Sequence, residues 1–139
     1  MIHFKAQEKL LPGVGIGGES KFYASIVRGA RVDFRKLAEQ SAELSTVQTA
    51  DVMAVVETFF RIAIRHLSDG SIIDMGQFGI FTPTLNSNGE ESAEKVDVQS
   101  IKKLNVNYRP SKLLKKNLSI VDYKKLSDGP SDTEIVDQA

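Results

Sequence analysis

Cations carry the chemistry in this sequence. Between Ile101 and Lys125, the basic residues Lys102, Lys103, Arg109, Lys112, Lys115, Lys116, Lys124 and Lys125 face one acid, Asp122, a net of +7. A cluster of this kind suits a polyanion, because each cation set against a phosphate releases a condensed counterion. Lys112, Lys115 and Lys116 recur at three and four residues, the spacing of one helix face. Two readings fit them: the solvated side of a short helix, or contacts to phosphate. The sign reverses on either side. From Asn86 to Ser100, Glu90, Glu91, Glu94 and Asp97 outweigh Lys95, a net of −3, and Ser127 to Ala139 adds four acids without a base. The balance of 18 basic and 18 acidic residues therefore averages opposed segments.

Other chemistry finds little to work with. Cysteine is absent, which removes disulfides, thiolate ligands and thiol nucleophiles. His3 and His66 stand far apart without carboxylates at matching spacing, so neither a metal site nor an acid–base pair is expected. The glycine run from Gly13 to Gly18 lacks the lysine–serine of a phosphate-binding P-loop and the spacing of a dinucleotide fingerprint, and reads as a linker. No constellation of nucleophile, base and oxyanion donors supports an enzyme, and no cofactor is expected. Met1 to Leu11 interleaves His3, Lys5, Glu8 and Lys9 with apolar residues, unlike a signal peptide, and no stretch reaches membrane-spanning length, so a cytosolic protein without membrane contact is expected.

The elements that must position these cations can be read from hydrophobic periodicity. At 139 residues and 41% hydrophobic content, the chain supports one modest core with appendages. Ile2, Phe4 and Ala6, and then Phe22, Ala24 and Ile26, alternate with polar residues and predict two strands, separated by a glycine-rich loop from Leu11 to Ser20. Asp33 suits the cap of a first helix carrying Phe34, Leu37, Ala38 and Ser41. A second helix carries Val52, Val55, Val56, Phe59, Ala63 and Leu67, with Met53, Phe60 and Ile64 as a second stripe, and ends at Asp69–Gly70. It is apolar over more of its circumference than so small a chain can cover, which predicts a partner subunit.

Ser71–Leu85 and Val96–Tyr108 predict the two arms of a strand pair, with Asn86–Glu94 as a flexible polar tip. Pro110 suits the first turn of a third helix whose apolar side is Leu113, Leu114 and Leu118. Ile120–Leu126 predicts a last strand, and a disordered acidic tail follows from Ser127. The predicted organisation is an N-terminal strand extension (1–30), a main domain (31–118), a C-terminal strand (119–126) and the tail (127–139).

The order helix, helix, long hairpin and short basic helix, with Leu67-Ser68-Asp69-Gly70 leading through Met75 to Phe78-Gly79-Ile80-Phe81, resembles the HU/IHF family of bacterial histone-like proteins. In that family a glycine closes the second helix and a Gly-Phe-Gly-x-Phe sequence opens the sheet. The resemblance spans roughly Val32 to Leu118, and is strongest for the longer HU-related subgroup of Bacteroides-type bacteria, which also carries terminal strands. It implies an α+β fold with a two-helix body, a β-hairpin saddle and a short C-terminal helix. It further implies an intertwined homodimer, or a heterodimer with a paralogue, that binds double-stranded DNA at the nucleoid with little sequence specificity. On this resemblance, Lys102, Lys103, Asn107, Arg109, Lys112, Lys115 and Lys116 become the candidate DNA contacts, while Phe59, Phe60, Phe78, Gly79 and Phe81 are structural.

Two departures accompany the resemblance. Gln77 stands where the family has its first glycine, with Gly76 one step earlier. The arm from Leu85 to Ser100 has no arginine and no proline, whereas a typical HU arm carries an Arg-Asn-Pro-x-Thr-Gly stretch. An acidic arm would meet the negative potential of the minor groove, which favours a protein module, or DNA binding without sharp bending, as the alternative.

Overall fold

The computed structural model describes residues 1–11 and 19–127. Most of the expected glycine-rich loop, and the expected disordered tail from Asp128, lie outside the described residues. The chain runs β1 (Ile2–Leu10), β2 (Ser20–Val27), α1 (Phe34–Glu43), α2 (Thr49–Ser68), β3 (Ile73–Asp74), β4 (Gly79–Ser87), β5 (Ile101–Pro110), α3 (Lys112–Ser119) and β6 (Tyr123–Lys125). This is a mixed α+β chain, as its alternating periodicities predict. It divides into two compact units, Met1–Asp33 with Ile120–Ala139, and Phe34–Ser119.

In the first unit β1 and β2 pair antiparallel, from His3–Val27 to Leu10–Ser20. The last strand, β6, joins the other edge of β1 in parallel, giving the order β2-β1-β6. The Ile2 N–H donates to the Asp122 carbonyl at 2.7 Å and the Leu126 N–H to the Phe4 carbonyl at 2.9 Å, so main-chain bonds flank this short pairing. The first and last strands of the described residues thus share one sheet.

In the second unit α1 follows directly on Asp33 and packs on α2, with Ala38 buried between turns and Phe34 against Phe60 at 5.7 Å between ring centroids. Helix α2, 20 residues and therefore roughly 30 Å long, carries Asp51 in its first turn and Arg65 and His66 in its last, charges that suit the helix dipole. It stops as expected: the Asp69 N–H turns back to the Arg65 and His66 carbonyls, and Gly70 takes φ +84°. Among the described residues Ala38 is the one buried apolar side chain, and α2 buries none, leaving Val55 68% and Ile64 62% exposed.

Three expectations about the hairpin are corrected. The strands are shorter than their apolar content suggests: Ser71–Phe78 holds only the two-residue β3 and a tight turn, and Val98–Ser100 is a 3-10 turn where the sequence predicts a strand. There Asp97 accepts from the Gln99 N–H at 2.9 Å, and the Ser100 hydroxyl accepts from the Asp97 N–H at 3.2 Å, a reciprocal cap that closes a 3-10 turn. The tip is ordered by its own bonds, not by strand pairing and not left as a floppy polar loop. Finally, Pro110 ends β5, paired with Gly79, and the helix starts after it. A strand end tolerates the missing N–H as well as a helix start does, and Ser111 is the better cap, accepting from the Leu114 N–H at 3.0 Å.

Candidate nucleic-acid interface

The pairing of β4 with β5 sorts their side chains onto two faces, because directly opposed residues in an antiparallel pair point the same way. The register runs from Gly79–Pro110 to Leu85–Leu104. One face therefore carries Phe81, Pro83 and Leu85 opposite Tyr108, Val106 and Leu104. The other carries Ile80, Thr82, Thr84 and Asn86 opposite Arg109, Asn107, Asn105 and Lys103. Beyond its Ile80 end, the second face is wholly polar and its charges are all positive.

The base of the hairpin is locked by close packing. Gly79 sits at φ +137°, and a Cβ there would lie 2.3 Å from the Arg109 carbonyl oxygen and 2.7 Å from Tyr108 Cε2, so no other residue fits. Tyr108 lies against Phe81 at 5.0 Å and Phe78 at 5.6 Å between ring centroids, and its hydroxyl donates to the Phe78 carbonyl at 2.5 Å. Ser111 donates to the Gln77 carbonyl while capping α3, which ties the start of the helix to the entry of β4. Gln77 therefore acts here through its backbone. The positive φ of the preceding turn is taken by Gly76, at +62°, whose N–H donates to Asp74 Oδ1 at 2.8 Å. The shifted glycine in the sequence is a shifted turn.

The expected contact residues fall as follows. Lys103, Asn107 and Arg109 share the polar face of β5. Lys102 does not join them: it falls at the register shift beside Asn86 and Ser87, outside the paired positions. Lys112, Lys115 and Lys116 lie together on one exposed side of α3, with Leu114 half-buried on the other. None of these cations has a carboxylate partner among the described residues; Arg35–Glu39 and Lys95–Glu91 are ion pairs elsewhere. Lys124 and Lys125, the end of the basic run, belong to the other unit.

Opposite Asn107 and Asn105, Thr82 and Thr84 complete the polar face; sequence patterning missed them, and Asn105, as part of the site. Their signal is period-two alternation through Ile80-Phe81-Thr82-Pro83-Thr84-Leu85, which becomes legible once Gly79 is set opposite Pro110.

Residues 1–125 match the family model described as an HU domain fused to a winged helix-turn-helix, an immunoglobulin-like or a glycine-rich motif. The chain belongs to this HU-domain family. A crystal structure from Bacteroides vulgatus, of a protein provisionally described as a bacterial DNA-binding protein, superposes with a TM-score of 0.59 at 13% identity. The match covers 92% of this chain and 50% of that one, so the chain spans about half the length of that protein. At that identity the likeness speaks to the fold. No curated protein matches the sequence.

In this HU-domain chain, Phe78, Gly79 and Phe81 pack against Tyr108 and Arg109 of β5, and Ser111, which caps α3, donates to the Gln77 carbonyl just before them. No helix of the described residues is long and apolar enough to cross a membrane, and no cluster of three or more His, Asp or Glu among them could hold a metal ion.

Proposed function

We propose that this HU-domain protein is a non-enzymatic architectural DNA-binding protein of the bacterial nucleoid. In this reading it contacts the duplex backbone through the polar face of β5 and the exposed side of α3, with little regard to sequence. The observation that carries the reading is the set of cations on those surfaces that have no carboxylate partner among the described residues: Lys103, Arg109, Lys112, Lys115 and Lys116. The family and the provisional description of the Bacteroides protein point the same way. Residues 31–118 would form the DNA-binding domain, with 1–30 and 119–126 as a strand extension and 127–139 as an acidic tail.

The unit is a homodimer in this proposal. A chain with one buried apolar side chain among its described residues, and with Val55, Ile64 and Phe59 exposed along one 20-residue helix, cannot repay its ordering entropy alone. A second copy laid on the same helix covers what the first leaves open. Val55→Asp, which would bury a carboxylate without a partner, is expected to abolish the dimer in sedimentation equilibrium.

The test of function is duplex affinity at two salt concentrations, for the unaltered chain and for Lys112, Lys115 and Lys116 changed together to Glu. Each lost phosphate contact lowers the log–log salt slope by about 0.9. A steep slope that the triple variant flattens supports the proposal; no binding at low salt refutes it. The acidic tip favours a second reading, an HU-fold dimer that assembles on protein partners with weak or no DNA bending. A partner retained after nuclease treatment would support that alternative.

A further inference from the structure

The sheet of the first unit also has two unlike faces. Ile2, Phe4, Ala24, Ile26 and Tyr123 line an apolar hollow on one of them. The other, by register, carries His3, Lys5, Gln7 and Lys9 from β1, then Lys21, Tyr23, Ser25 and, at the His3 end, Val27 from β2, and Lys124 from β6. Lys5, Lys9, Lys21 and Lys124 are all exposed. No strand residue on this face is acidic; Glu8 points to the opposite side, where it accepts from the Ser20 hydroxyl.

A face whose only role is solvation would mix charges, and this one pairs like with like. Lys9 stands directly opposite Lys21. Like charges in directly opposed positions destabilise a sheet. The one relief within the sheet is partial: Lys9 Nζ lies over the Tyr23 ring, 5.9 Å from its centroid. From His3 to Lys9 the row runs about 20 Å at the usual rise of a strand, the axial length of about six base steps of duplex.

We infer that this lysine face of β2-β1-β6 is a second DNA-contacting surface, separate from the hairpin and α3, that meets the phosphate backbone. The inference rests on the functional proposal above. It assigns the terminal strands a binding role: a polyanion removes the Lys9–Lys21 repulsion that the sheet alone cannot.

The experiment compares the salt slope of duplex affinity, between about 50 and 200 mM salt, for the unaltered full chain, for K5Q/K9Q/K21Q/K124Q and for K5R/K9R/K21R/K124R. The glutamine variant is expected to lose about 3 to 4 from the slope for each copy of the sheet in contact, while the arginine variant keeps the original slope. Thermal unfolding verifies that each variant folds. Should the fourfold variant unfold, Lys21→Gln alone is expected to lose about 0.9. If the unaltered chain binds and glutamine leaves its slope unchanged, this inference falls while the hairpin and α3 reading stands. If the unaltered chain does not bind at low salt, both fall.

Discussion

The two ends of the β4–β5 hairpin treat polar groups in opposite ways. At the tip they are bonded to one another: the Ser100 hydroxyl donates to Glu90 Oε1 at 2.9 Å, Lys95 Nζ pairs with Glu91 at 3.0 Å, and Asp97 holds the Gln99 N–H. Ser100, 1% exposed, is one of two buried side chains in the described residues. At the base, Lys103 and Arg109, with the three lysines of α3, have no carboxylate partner among the described residues, and what is tightly made there is the backbone at Gly79. Groups satisfied within the chain have little left for a ligand. Cations without a counter-charge among the described residues do. The acidic tip and the basic base are therefore different devices, one closing the loop and one presenting charge.

The largest effect on the comparison should come from the base. Gly79→Ala must leave a conformation that L residues rarely adopt and push against a backbone carbonyl, for an expected loss of about 3 kcal/mol in unfolding free energy. Gly76→Ala, at φ +62° with nothing within 4 Å, should lose only about 1 kcal/mol. Equal losses in denaturant melts would mean that the base is not locked as described.

A smaller, local effect is expected at the tip. Ser100→Ala removes the donor to Glu90 and the acceptor of the Asp97 N–H, about 1 to 2 kcal/mol, in a loop that can open without the rest. Hydrogen exchange at the Asn88 and Asp97 amides should accelerate about tenfold or more while the α2 amides stay unchanged. Uniform acceleration would make the tip part of a global unit.

The smallest effect should follow from neutralising the tip. Changing Glu90, Glu91 and Glu94 together to Gln is expected to raise duplex affinity less than about fivefold at low salt, and not measurably at physiological salt, where exposed charges are screened beyond roughly 8 Å. A larger gain would put the tip against DNA.

What was legible in the sequence followed the range of the forces involved. The helices were readable because Val52, Val55, Phe59, Ala63 and Leu67 repeat with the turn itself, and Asp69–Gly70 stops α2 within a few residues. The family resemblance was readable because Phe78-Gly79-Ile80-Phe81 answers to one crowded joint. The tip was not, since its fold depends on Ser100 reaching Glu90 and Ser87, ten and thirteen residues away. Nor was the parallel pairing of β6 with β1, which joins residues near opposite ends of the chain. In the candidate site, the resemblance placed Lys102 and Lys103 alike among the contacts; the register sets Lys103 opposite Asn86 and leaves Lys102 at the shift beside Ser87.

The central claim, that the base of the hairpin and α3 meet DNA and the tip does not, is tested most directly by lysine acylation with and without bound duplex, read by mass spectrometry. Protection of Lys103, Lys112, Lys115 and Lys116, with Lys95 at the tip reacting as before, is the expected result. Protection of Lys95 while the three α3 lysines react unchanged would contradict it.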